Sequence, residues 1–117
     1  MRCRRCEPVP EEVRRAAKLL ERRWTVTILW AAHEGAVRFN EFRYACGRIP
    51  PRTLAERLAD LEEAGVLERV VIDSRPPRVE YRLTERGRAL RALVDALARW
   101  AQPHGVRATT ESPRARG

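Results

Sequence analysis

The stretch that most restricts the fold begins at a pair of prolines. After Pro50-Pro51, Leu54, Leu58 and Leu61 recur at spacings of four and three, and Gly65 follows. That period places the three leucines on one face of a helix. Proline is tolerated in a helix's first turn, where backbone N–H groups have no intrahelical partner, so the pair starts this helix without breaking it. Its other faces carry Arg52, Thr53, Glu56, Arg57 and Asp60. A polar face that opens on Arg and Thr, set on a helix with a single apolar edge, must be presented to something outside the core.

The flanking segments supply the context. Val13, Ala16, Ala17 and Leu20 keep helical spacing, which predicts an amphipathic helix from Glu11, just after Pro10. A second, largely buried helix is expected from about Trp24 to Glu34, with Ile28 and Leu29 inward and Gly35 at its end. Phe39-Asn40-Glu41-Phe42-Arg43-Tyr44 reads as a short helix stopped near Gly47. Beyond Gly65, the β-branched run Leu67 to Ile72 and the alternating Val79-Glu80-Tyr81-Arg82-Leu83 predict two strands around Asp73-Ser74-Arg75-Pro76-Pro77-Arg78, a hairpin with a basic tip. Thr84 is a fair N-cap for a long final helix marked by Leu90, Leu93, Val94, Leu97 and Ala101 and ending before Pro103. No internal repeat is present.

The order is helix, helix, short helix, helix, hairpin, helix: mostly α with a small β-hairpin. Two helices joined by a tight turn can set the second into the DNA major groove, about 12 Å wide, while the first crosses the backbone. A following hairpin reaches an adjacent groove. This arrangement is a winged helix-turn-helix. At 117 residues the chain suits one domain, expected over 11–102, with a basic flexible arm at 1–10 and a basic flexible tail at 103–117. No apolar run reaches the roughly 20 residues of a membrane helix, and the N-terminus lacks the apolar stretch of a secretory signal, so the expected location is the cytoplasm, away from any membrane.

Charge needs more careful reading. The net charge is +8, and Lys18 is the sole lysine. A polyanionic partner fits such a balance. Yet the two tails supply five of those eight charges, and residues 50–64 hold two cations against four acids, Glu56, Asp60, Glu62 and Glu63. Arg52 and Thr53 at the start of the helix are the first candidates for base contact, with Arg57 next, because N-terminal residues of such helices point at base edges and arginine can bond guanine O6 and N7 together. Phosphate attraction is assigned to the hairpin cations Arg75 and Arg78, with Arg38 and Arg43 secondary.

Cys3-Arg4-Arg5-Cys6 is a lone Cys-x-x-Cys pair. Structural zinc wants four ligands, and Cys46, His33 and His104 offer no second close pair, so neither metal nor other cofactor is expected. Flanking arginines favour thiolate at Cys3 and Cys6. Cys46 reads as a small buried residue, and Trp24, Trp30, Phe39, Phe42 and Tyr81 as core, with Trp100 on the apolar stripe of the final helix. No acid–base pair accompanies a nucleophile and no phosphate loop is present, so nothing points to an enzyme. Two other readings stay open: a winged helix that binds protein rather than DNA, and a small thiol oxidoreductase using Cys3 and Cys6.

Over residues 13 to 101 the chain also resembles the HxlR-type transcriptional regulators, winged-helix proteins related to the MarR type. Arg38-Phe39-Asn40-Glu41-Phe42-Arg43 is similar to that family's Arg-Phe-x-Glu-Leu-Arg element. Ile49, Leu54, Arg57-Leu58, Leu61-Glu62, Gly65 and Arg69 match its recognition-helix spacing, and Pro76-Pro77-Arg78-Val79-Glu80-Tyr81, Leu83-Thr84 and Gly87 its wing and last helix. Trp24 sits where the family opens its second helix. The resemblance implies a homodimer built from the first and last helices on a palindromic double-stranded DNA operator, expected to act as a repressor, with oxidant sensing through a cysteine near the N-terminus in some members. Cys6 falls about four residues earlier than that cysteine. Arg22-Arg23 stands where the family has Gly-Lys or a similar pair, and Pro50 where it has Ser.

Overall fold

The structure, a computed structural model, describes residues 7–105. Its elements in chain order are α1 (Glu11–Leu20), α2 (Thr25–His33), α3 (Phe39–Ala45), α4 (Pro51–Glu63), β1 (Leu67–Ile72), β2 (Arg78–Leu83), α5 (Glu85–Arg88) and α6 (Arg91–Ala101). Pro10, in an extended conformation, leads into α1, whose first turn carries Glu11 and Glu12 and whose last turn carries Lys18, each complementing the helix dipole. Pro51 occupies the first turn of α4, as its tolerance there predicts.

The core forms where α2, α3 and α4 meet. Ile28 and Leu29 of α2, Phe42 of α3 and Leu54, Leu58 and Leu61 of α4 are completely buried, with Ile49 from the α3–α4 turn and Leu67 from β1 beside them. Because α2 is apolar on nearly all sides, it serves as the central post. Gly35 at φ 108° ends it, a left-handed position that a side chain would strain.

The hairpin is antiparallel, with Leu67 opposite Leu83 and Ile72 opposite Arg78. One further bond fastens it to the helices: the Tyr81 N–H donates to the Val37 carbonyl at 2.7 Å. The base of the hairpin is therefore tied to the residue just before Arg38 and α3.

Two expectations need correction. The long final helix is broken at Ala89-Leu90, between α5 and α6. The Thr84 hydroxyl does cap α5, accepting from the Gly87 N–H at 3.0 Å, but Leu90 bonds back three residues to Gly87 before α6 restarts. The cause lies in packing. The bare Cα of Gly87 presses on the Val66 carbonyl and the Leu83 side chain, binding α5 to the hairpin, while α6 turns away to seat Val94 against the body and the Arg91 guanidinium on the His33 carbonyl at 3.2 Å. Second, Trp30 is 38% exposed rather than in the core. Val13, Leu93, Leu97 and Trp100 are also about half exposed.

Candidate nucleic-acid interface

With Leu54, Leu58 and Leu61 inward, the outward line of α4 runs through Arg52, Ala55, Glu56 and Ala59. The Arg52 side chain is 92% exposed and only loosely paired with Glu56, at 3.6 Å. Such a pair contributes little in water and leaves the guanidinium free to turn. Thr53 is half-buried beside it. Ala55 and Ala59 escaped the reading of the sequence as candidates. Their small side chains let the helix approach a groove closely, and alanine makes apolar contact with thymine methyl groups. The available signal was their register with Arg52, opposite the leucines.

Arg57 is placed differently from Arg52. Its side chain is 20% exposed, its Nε donates to the Arg23 carbonyl at 3.0 Å, and its terminal nitrogen meets Asp60 at 3.2 Å. Asp60 also takes Arg22 at 2.8 Å, and this carboxylate raises the Arg22 pKa above its ordinary value. The acidic character of α4 is thereby reduced, since Asp60 is compensated internally by two guanidinium groups.

The hairpin carries Arg75 at its exposed tip, where the Ser74 hydroxyl bonds the Pro76 carbonyl at 2.8 Å. Arg78 sits at the start of β2, 3.9 Å from Glu80, whose carboxylate is held more closely by Arg82 at 2.8 Å. Arg78 and Arg38 line one cleft of about 520 Å³ between the hairpin and the start of α3, together with Asn40 and Pro77. Two cations chosen from separate sequence blocks thus converge there. The Glu41 carboxylate in the same wall accepts from the Val37 and Arg38 backbone N–H groups at 2.9 and 3.0 Å, which holds its pKa below the usual carboxylate range. Arg43, Asn40 and the 89%-exposed Tyr44 are exposed on α3, and Arg48 is exposed in the turn that follows it.

Cys3 and Cys6 lie outside the described residues, as do the first six positions of the N-terminal arm and residues 106–117 of the tail. Cys46 is a buried free thiol, and burial pushes its pKa up. His33 Nδ1 lies 3.0 Å from the Leu29 carbonyl, and His104 is exposed near Trp100. Among the described residues, no cluster of three or more metal-ligating side chains comes together, and no helix is long and apolar enough to cross a membrane.

Residues 19–109 match the model of the HxlR-like helix-turn-helix family, which covers most of the chain from the end of α1 through α6. The chain belongs to the HxlR-like helix-turn-helix family. It is a winged helix-turn-helix transcriptional regulator, and membership implies DNA binding rather than catalysis. Among its relatives is the uncharacterized HTH-type transcriptional regulator YvaP of Bacillus subtilis, 38% identical over 87 residues, covering 74% of this chain and 81% of that protein. An uncharacterized HTH-type regulator of Mycobacterium tuberculosis, Rv3095, is 44% identical over 94 residues, covering 80% of this chain and 59% of the longer relative. Diamide-treated YodB of Bacillus subtilis superposes with a TM-score of 0.70 at 33% identity, covering 86% of this chain and all of that one. The reduced form of the redox regulator HypR gives 0.71 at 35%, covering 78% and 90%.

Proposed function

We propose that the chain acts as a homodimer on a palindromic operator, as a repressor, with the N-terminal thiols as its oxidant sensor. The observation that carries this reading is a mismatch between α1's sequence and its surroundings. Val13 and Ala16 form an apolar edge, yet no residue of α1 is buried. Leu93, Leu97 and Trp100 are likewise bare on α6. Exposed apolar side chains on both terminal helices are the kind of surface that association covers. A two-fold pairing through α1 and α6 would cover it and would double the α3–α4 unit, which suits an operator with two half-sites one helical turn apart.

In each protomer, Arg52 and Thr53 read bases with Ala55 and Ala59 against the groove floor. Arg78 and Arg38 hold a backbone phosphate at the wing, and Arg75 and Arg43 add to the electrostatic attraction. Arg57 is tethered inside the protein through its Nε and one terminal nitrogen and is withdrawn from the base-reading set. The redox element is supported by YodB, solved after diamide treatment, and by the redox regulator HypR, together with the arginines that flank Cys3 and Cys6.

The test is selection of genomic fragments by the purified chain with and without diamide, read by sequencing. The expected result is a set of fragments sharing an inverted repeat, retained by the reduced protein and released by the oxidised wild type but not by Cys3→Ser/Cys6→Ser. Recovery of fragments without a common sequence would refute specific operator binding. Equal retention under oxidant would refute the sensor.

A further inference from the structure

The elbow between α1 and α2 adopts a conformation its own residues do not favour. Trp24 stands at φ 79°, in the left-handed region where a bulky L residue is a genuine outlier, and Arg22-Arg23-Trp24 contains no glycine or asparagine to ease it. Such a turn persists when its surroundings over-determine it. The Arg23 guanidinium lies 5.2 Å from the centroid of the Trp24 ring, a local cation–π contact. Beyond the backbone bonds of the turn itself and the packing of Trp24 on the core, side-chain restraints come from α4: Arg57 holds the Arg23 carbonyl, and Asp60 holds Arg22. Arg57 and Asp60 also bond one another, so a closed cluster joins two adjacent residues of the elbow to a single turn of the recognition helix.

Apolar packing decides which face of α4 is inward, but it is non-directional and restrains tilt weakly. Charge-assisted hydrogen bonds from a planar guanidinium are directional. We propose that Arg22, Arg57 and Asp60 form a clasp that sets the tilt of α4 from the α1–α2 elbow, and so couples the helix at the dimer interface to the helix that reads DNA. Arg57 and Asp60 are positioning residues. This inference rests on the homodimeric operator-binding reading, in which two α4 helices must meet grooves about 34–36 Å apart. With α1 at the two-fold axis and α4 in the groove, the elbow is the lever between them.

The charge of Asp60 makes the inference testable by sign. Removing an acid from a DNA-facing helix should, on electrostatics alone, tighten binding to any duplex. Loss of a clasp should instead weaken binding to the operator selectively. Wild type, Asp60→Asn and Asp60→Glu are titrated in full-length form against a fragment selected by the wild type and against a scrambled duplex of equal length, across a salt series, with circular-dichroism melting to establish the folded fraction at the assay temperature. Asp60→Asn is expected to lose about tenfold on the operator. Its affinity for the scrambled duplex should not fall, its salt slope should be unchanged, and Asp60→Glu should recover most of the loss. Operator binding by Asp60→Asn as tight as wild type, or tighter, would overturn the clasp. If Asp60→Asn is unfolded under these conditions, Arg22→Ala, which keeps the Arg57–Asp60 pair, carries the comparison: an operator-selective loss supports the clasp, and no loss or an equal loss on both duplexes overturns it. A wild-type chain with no preference for any fragment overturns the operator reading itself, and the clasp with it, before any variant is compared.

Discussion

At Arg52 the guanidinium stands in solvent with one distant acidic neighbour, so turning it toward a base edge disrupts little. Arg57, five residues on, would have to release a backbone carbonyl and a carboxylate first. Arg52→Ala should therefore relax sequence preference at one operator position by about 1–3 kcal/mol, measured by fluorescence anisotropy over single-base variants of a selected fragment. Arg78→Ala should weaken all sequences alike and reduce the magnitude of the salt slope by about 0.9. Glu41 gives a pH signature. Its carboxylate is favoured in the fold by two backbone N–H groups, so its pKa is lower there than in the unfolded chain. The stability it contributes is present above the unfolded value of about 4.3 and is lost as pH falls through the folded one. Glu41→Ala should thus melt below wild type at pH 7, with the gap narrowing on acidification, as followed by circular dichroism. Arg52's candidacy was legible from its place at a helix start, whereas Arg57's engagement was not, because its acceptor lies 34 residues earlier in the chain.

Among the elements, α4 follows from its sequence almost completely. A period of three and four, a proline pair before it and a glycine after it leave one way to place Leu54, Leu58 and Leu61, all of which are fully buried. The final helix does not follow. Ala89-Leu90 carries no breaker, and the break comes from α5 docking on the hairpin while α6 docks on α2. Gly87 is the point of contact, since a Cβ there would run into the Val66 carbonyl. Gly87→Ala should force α5 off the Val66 carbonyl and β2 and destabilise the fold by about 1–3 kcal/mol, read as a lower urea midpoint with little change in slope. Local helix propensity alone would predict the opposite sign, since alanine is the better helix former.

The molecule as a whole presents two surfaces of different character. One is polar, made of the exposed line of α4 and the arginines at the wing cleft; the other is apolar, made of the exposed Val13, Trp30, Leu93, Leu97 and Trp100 on α1, α2 and α6. Leu93→Glu/Leu97→Glu alters side chains about 40% exposed, so the monomer should keep its fold while a two-fold association through α6 is abolished. Light scattering coupled to size exclusion should then report a monomer for the variant and, on the proposed pairing, a dimer for wild type. Operator affinity should fall steeply, since two linked half-site contacts become independent ones. A dimer of unchanged mass would exclude α6 from the interface.

Element identity, the order that defines a winged helix-turn-helix and the candidacy of Arg52, Thr53 and Arg78 came from the sequence alone, because helical and strand periods, prolines, glycines and caps act within a few residues of chain. The tertiary structure decided what depends on neighbours distant in sequence. It put Trp30 at the surface, split the last helix at Ala89-Leu90 beyond a glycine packed on Val66 and Leu83, set Arg38 and Arg78 in one cleft and turned Arg57 and Asp60 inward to the α1–α2 elbow. Periodicity assigns a residue to a face; only the packing of other elements onto that face decides whether the side chain meets solvent, a carbonyl or another charge.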